Sequence, residues 1–115
     1  MKLNQTAVDK RQLVLSVDGR LDAETCNAVK QAFHDFAAGG QKFVTVEMSR
    51  VSFIDSSGLS ALISGLKTLR QAGGVLNLAA VGAQARTALR LTLLDTVLPI
   101  SATVAEATTA LTPKA

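Results

Sequence analysis

Phe43–Ala80 reads FVTVEMSRVSFIDSSGLSALISGLKTLRQAGGVLNLAA, and within it the hydrophobic period changes twice. From Phe43 to Met48 the residues Val44, Val46 and Met48 fall on one side of an extended chain, as in an internal strand. From about Ser57 the apolar residues Leu59, Leu62, Ile63, Leu66 and Leu69 recur three and four apart. That spacing builds one stripe on a helix and leaves Ser60, Ser64, Lys67, Thr68 and Gln71 outward. Gly73-Gly74 ends the helix, and Val75–Ala80 returns to a strand. A strand, a helix and a strand joined by short loops make a parallel β-α-β unit with a right-handed crossover, so the fold class is α/β.

The flanking sequence extends this unit. Gln12–Asp18 alternates, with Leu13, Leu15 and Val17 on one face and Val14, Ser16 and Asp18 on the other; Gly19 is predicted to end the strand. An earlier strand around Leu3–Ala7, turning at Val8–Arg11, pairs with it antiparallel. After Leu21 a helix is predicted from near Ala23, with Asp22 as N-cap, Glu24 in the first turn and Val29, Phe33, Phe36 and Ala37 inward. Gly39-Gly40 stops it. Beyond the central unit, Gly82–Leu91 is a helix with Ala85, Ala88 and Leu89 inward and Arg86 and Arg90 outward. Leu98–Ile100 is a short edge strand, where Pro99 is tolerated. Thr103–Leu111 is a last helix with Val104, Ala107, Thr108 and Leu111 on one stripe, and Pro113 and the last residues are expected to fray. No repeat or linker interrupts the chain, so one domain is expected over 1–115, its core at about 3–111.

A chain of 115 residues suits one small domain. It is 48% hydrophobic with four Phe and neither Trp nor Tyr, so its core is aliphatic and it has no aromatic platform on which bases could stack. The formal charge is +3, but the twelve Lys and Arg are scattered and only Lys10 and Arg11 are adjacent. Nucleic acid is therefore not an expected partner. The single Cys26 excludes an internal disulfide and is read as a small buried apolar residue. Met1–Thr6 lacks the apolar segment of a signal peptide, and no run approaches the roughly 18 apolar residues of a membrane span, so no membrane insertion and a cytoplasmic location are expected. One histidine, His34, one cysteine and dispersed carboxylates supply neither a nucleophile-base pair nor a metal cluster. Neither catalysis nor a bound cofactor is expected.

Asp55-Ser56-Ser57-Gly58 lies where open α/β sheets place their working residues, beyond the carboxyl end of a strand and at the start of a helix. Asp and Ser are favoured N-caps, so this segment could do no more than satisfy free N–H groups of the first turn. The alternative is that a serine here is exposed and accepts a phosphoryl group, which the unpaired N–H groups and positive end of the helix would tolerate. The residues themselves leave both roles open. A phosphate would change the surface charge by about −1.5 to −2, and Asp55 beside it would direct it outward by repulsion.

Two segments resemble the STAS family, and in particular its anti-sigma factor antagonists. Val17-Asp18-Gly19-Arg20-Leu21-Asp22-Ala23 is similar to that family's G-x-L-D segment, and Val51-Ser52-Phe53-Ile54-Asp55-Ser56-Ser57-Gly58-Leu59 to its switch segment. Arg70-Gln71-Ala72-Gly73-Gly74 adds to the match, which runs from about Leu13 to Ile100. The resemblance implies a single domain with a four- or five-stranded mixed sheet and about four helices. It implies that Ser56 is the phosphoacceptor and that Asp22, Asp55, Ser57 and Gly58 contribute to a partner surface, with Gly58 admitting the partner's backbone. The implied partners are an anti-sigma factor that is itself a serine protein kinase and a PP2C-type phosphatase. ATP and Mg²⁺ would then belong to the kinase. STAS domains also serve as subunits of transport complexes such as phospholipid transporters, which is the alternative that the resemblance leaves open. Arg20 departs from the family pattern at a position often acidic or otherwise variable in relatives, and its role is not fixed by the resemblance.

Overall fold

The computed structural model describes residues 1–111, so the fraying expected at Pro113 lies outside the described residues. The elements are β1 (Lys2–Ala7), β2 (Gln12–Leu21), α1 (Cys26–Ala38), β3 (Phe43–Ile54), α2 (Ser56–Gln71), β4 (Val75–Ala79), α3 (Ala83–Leu91), a 3₁₀ turn (Leu94–Thr96), β5 (Ile100–Ser101) and α4 (Val104–Leu111). They form one five-stranded sheet in the order β1-β2-β3-β4-β5. The β1–β2 pair is antiparallel and every later pair is parallel, as the expected mixed sheet requires.

The register explains which side of the sheet is apolar. Leu13 pairs with Val44 and Val44 with Leu76, while Leu15 pairs with Val46 and Val46 with Leu78, so these side chains line one face. All are buried, with Val29 and Phe33 of α1 and Leu62, Leu66 and Leu69 of α2 in the same core. The intervening row, Val14, Thr45 and Asn77, lies on the opposite face under α4. There Thr45 donates its hydroxyl to Asn77 Oδ1 at 2.7 Å, and Asn77 Nδ2 donates to the Ala107 carbonyl at 2.8 Å. Gln12 Nε2 donates to the Thr108 carbonyl at 2.8 Å. Two strand amides thus hold the last helix against the sheet.

The edge strand lies at Ile100–Ser101, not at Leu98–Ile100, and three further differences from the sequence reading bear on the site. Gly19 does not end β2. Its φ of +119°, open to glycine, lies within a run of register shifts that carries the strand on to Leu21. β3 likewise passes Met48 and reaches Ile54, because the extended β2 gives it partners: Asp18 with Arg50, Gly19 with Val51, Arg20 with Phe53 and Leu21 with Ile54. These irregularities break the period of two, which is why the extension does not show as alternation. Finally, α1 starts at Cys26 with Thr25 as N-cap, not near Ala23. Asp22 organises a preceding turn: its carboxylate accepts the Glu24 N–H at 3.0 Å and its carbonyl the Cys26 N–H at 2.8 Å. Cys26 is half-buried at the margin of the core, because the first turn of α1 stands at the end of the sheet.

Candidate functional site

The extensions of β2 and β3 finish side by side, so the turn after β2 and the turn after β3 meet. Leu21 and Ile54 are both buried and fix this pairing. The Asp55 N–H continues it by donating to the Leu21 carbonyl at 3.3 Å. Asp55 follows β3 directly and is itself extended, with φ −119° and ψ −170°. It is the N-cap of α2: Oδ1 accepts the Gly58 N–H at 3.1 Å, and the Asp55 carbonyl accepts the Leu59 N–H at 2.9 Å.

That geometry divides the two roles the sequence left open. Asp55 supplies the cap, and Ser56, the first residue of α2, is exposed. No hydrogen bond from another described residue engages the Ser56 hydroxyl. Ser57 is half-buried beside it. Gly58 requires a correction: it is buried, and a Cβ there would collide with the Leu21 carbonyl and lie 2.8 Å from Ile54 Cγ1. The missing side chain serves the close packing of α2 on β2, whose Leu21 carbonyl occupies the space of a Cβ.

Asp22 sits next to Leu21 and therefore next to the Asp55–Ser56 turn. Its Oδ2 accepts from Arg20 Nε at 3.1 Å, and the Asp22 N–H donates to Thr25 Oγ1 at 2.9 Å. The Thr25 hydroxyl donates in turn to the Arg20 carbonyl at 2.9 Å. The hydrogen bond from Arg20 holds the Asp22 carboxyl below its ordinary value, assisted by the Glu24 N–H and opposed by partial desolvation. The Arg20 guanidinium also lies over the Phe53 ring, 4.5 Å from its centroid. The Arg20–Phe53 contact escapes sequence reading because it depends on the shifted register that makes these residues neighbours.

Gln84 is a further residue that sequence reading misses. β4 pairs with β3 only as far as Ala79 and Glu47, so among the described residues the far end of β3 has no strand beside it on that side. Gln84, near the start of α3, fills the gap: the Ile54 N–H donates to its Oε1 at 3.0 Å, and its Nε2 donates to the Ile54 carbonyl at 2.9 Å. A glutamine at a helix start reads as a solvated residue, and no pattern in the sequence distinguishes this one. His34, Arg86 and Arg90 lie exposed on their helices.

Among the described residues no group of three or more His, Cys, Asp or Glu could hold a metal ion, and no helix is long and apolar enough to cross a membrane.

The STAS domain family model matches residues 4–107. A Listeria monocytogenes protein named anti-sigma-B factor antagonist is 30% identical over 63 residues, 55% of this chain and 55% of that protein. The chain thus spans about half the length of the curated relatives it matches. Among solved structures, one described as a putative anti-sigma factor antagonist from Thermotoga maritima superposes with a TM-score of 0.88 at 26% identity, covering 96% of this chain and 95% of that one. An anti-sigma factor antagonist from Mycobacterium paratuberculosis gives 0.86 at 28% identity, covering 97% and 94%.

Proposed function

The chain belongs to the STAS domain family, and from that premise we propose that it is an anti-sigma factor antagonist whose binding to its partner is switched by phosphorylation of Ser56. The observation that carries this reading is the exposed Ser56 hydroxyl, left unengaged at a helix start whose cap Asp55 already supplies. A phosphoryl group there does not compete with a bond that the fold uses.

In the proposed cycle the unmodified chain binds an anti-sigma factor that is also a serine kinase. Ser56 Oγ attacks the γ-phosphorus of the kinase's ATP, the bond to ADP breaks, and the hydroxyl proton leaves to a base of the kinase. ATP and Mg²⁺ stay with that partner, and a PP2C-type phosphatase returns the serine by hydrolysis. The added charge of about −1.5 to −2 appears beside Asp55 and close to Asp22, so a partner surface complementary to the neutral serine is repelled. Asp22, Asp55 and Ser57 form the surround of Ser56 in this reading.

The test is phosphorylation of the purified chain by its cognate kinase with ATP. One phosphate on the wild type and none on Ser56→Ala is the expected outcome; phosphate on Ser57, on Ser52 or on no residue would sink the assignment. Ser56→Asp is expected to bind the kinase more weakly while its circular dichroism matches the wild type. Unchanged binding would remove the charge switch.

A further inference from the structure

Arg20 departs from the family pattern, and its surroundings give it a defined geometry. Its Nε is bonded to Asp22, its plane rests over Phe53, and its side chain is nevertheless 61% exposed. A guanidinium carries five N–H donors in a rigid fork, and Asp22 uses the one on Nε. The terminal nitrogens therefore remain for a second anion. Asp22 engages one edge and offsets its charge, and the ring covers one face, so the group is oriented with its terminal nitrogens still open.

Ser56 lies within reach of this fork. Arg20 pairs with Phe53 and Leu21 with Ile54, and the Asp55 N–H bonds to the Leu21 carbonyl at 3.3 Å, so the residue after Arg20 touches the residue before Ser56. An arginine and a phosphoserine can span that separation between them. Besides Arg20, the charged groups of the two adjoining turns are Asp22, Glu24 and Asp55, all acidic. Within those turns Arg20 is the one cation, and it is already oriented; α3, which reaches Ile54 through Gln84, carries Arg86 on its exposed face.

We propose that Arg20 is a clasp for phosphorylated Ser56: Asp22 keeps Nε, and the terminal nitrogens take two phosphate oxygens as a bidentate pair. The proposal rests on the reading of Ser56 as the phosphoacceptor. In this state the phosphate is drawn along the strand ends toward β2, so the modified surface has a fixed shape as well as an added charge. Arg20 acts as a positioning residue for the modified form.

The test uses the full chain with phosphoserine placed at position 56 during translation, so that its result does not depend on any kinase. Phosphorus NMR follows the second ionisation of the phosphoserine in the wild type, Arg20→Ala, Arg20→Lys and Phe53→Leu, with circular dichroism confirming that each is folded. A bidentate guanidinium favours the dianion, so the ionisation is expected to rise by about half a unit or more in Arg20→Ala. Removing Arg20 also leaves Asp22 uncompensated, which raises the ionisation by repulsion alone; Arg20→Lys controls for this, since it keeps the charge and loses the fork. A rise in Arg20→Lys as well, with a smaller one in Phe53→Leu, supports the clasp. An Arg20→Lys ionisation equal to the wild type, or four identical titrations, overturns it. Failure of the kinase to modify Ser56 in the preceding experiment would remove the biological reading and leave this measurement unaffected.

Discussion

Asp22 holds its proton less tightly than a free aspartate, chiefly because Arg20 donates to it. Arg20→Ala is therefore expected to bring its carboxyl back up toward 3.8, as followed by carboxyl-carbon NMR. The sign for stability comes from linkage: a carboxyl lowered on folding stabilises the fold above its unfolded value, and that contribution disappears as pH falls through the folded value. The wild type should accordingly lose more stability than Asp22→Asn on acidification below about pH 4, read by urea unfolding at several pH values. Gly58 is the other sensitive residue of the site. An alanine there gains helix propensity but drives its methyl into the Leu21 carbonyl and Ile54, so a net loss of about 1–3 kcal/mol is expected by urea unfolding. At this scale Asp22, Asp55 and Ser56 could be named from sequence because residue type and order carry their chemistry. Gly58 could be named but not explained, since its reason is a carbonyl thirty-seven residues earlier in the chain.

The elements that build the site are the overhanging ends of β2 and β3. Sequence alternation located both strands and stopped short of the overhang in each, at Gly19 and Met48, because register shifts there break the period of two. The ends of the helices were easier to read, since glycine pairs follow α1 and α2 and leave few alternatives. What no local pattern could show is that, among the described residues, β3 has no strand on its β4 side at Ile54 and takes two bonds there from Gln84. Gln84→Ala is expected to speed hydrogen exchange at the Ile54 amide while leaving the amides of Val44 and Val46 protected. The loss of global stability should be about 1 kcal/mol, because water can reach part of this edge. Equal exchange at Ile54 in the two proteins would remove the glutamine from the support of the site.

For the molecule as a whole, the sheet has one apolar face and one that is pinned by amides. Asn77 joins Thr45 on the neighbouring strand to Ala107 on α4 and is 1% exposed. Asn77→Ala leaves a buried hydroxyl and a helix carbonyl without their partner, and a loss of about 2–4 kcal/mol in urea unfolding is expected. The α/β class and mixed sheet were legible because helical and strand periods alternate along the chain; the amide row was not, since Asn77 reads only as a polar interruption of an apolar strand. The spatial order of the strands also repeats their order in the chain. During synthesis, each strand therefore leaves the ribosome beside a neighbour that already exists, and no late strand has to be inserted between earlier ones. The turns bearing Asp22 and Ser56 can come together as soon as β2 and β3 have emerged. Gln84 and α4 emerge later, so the nascent chain can form its recognition surface before the residues that fasten it have been made.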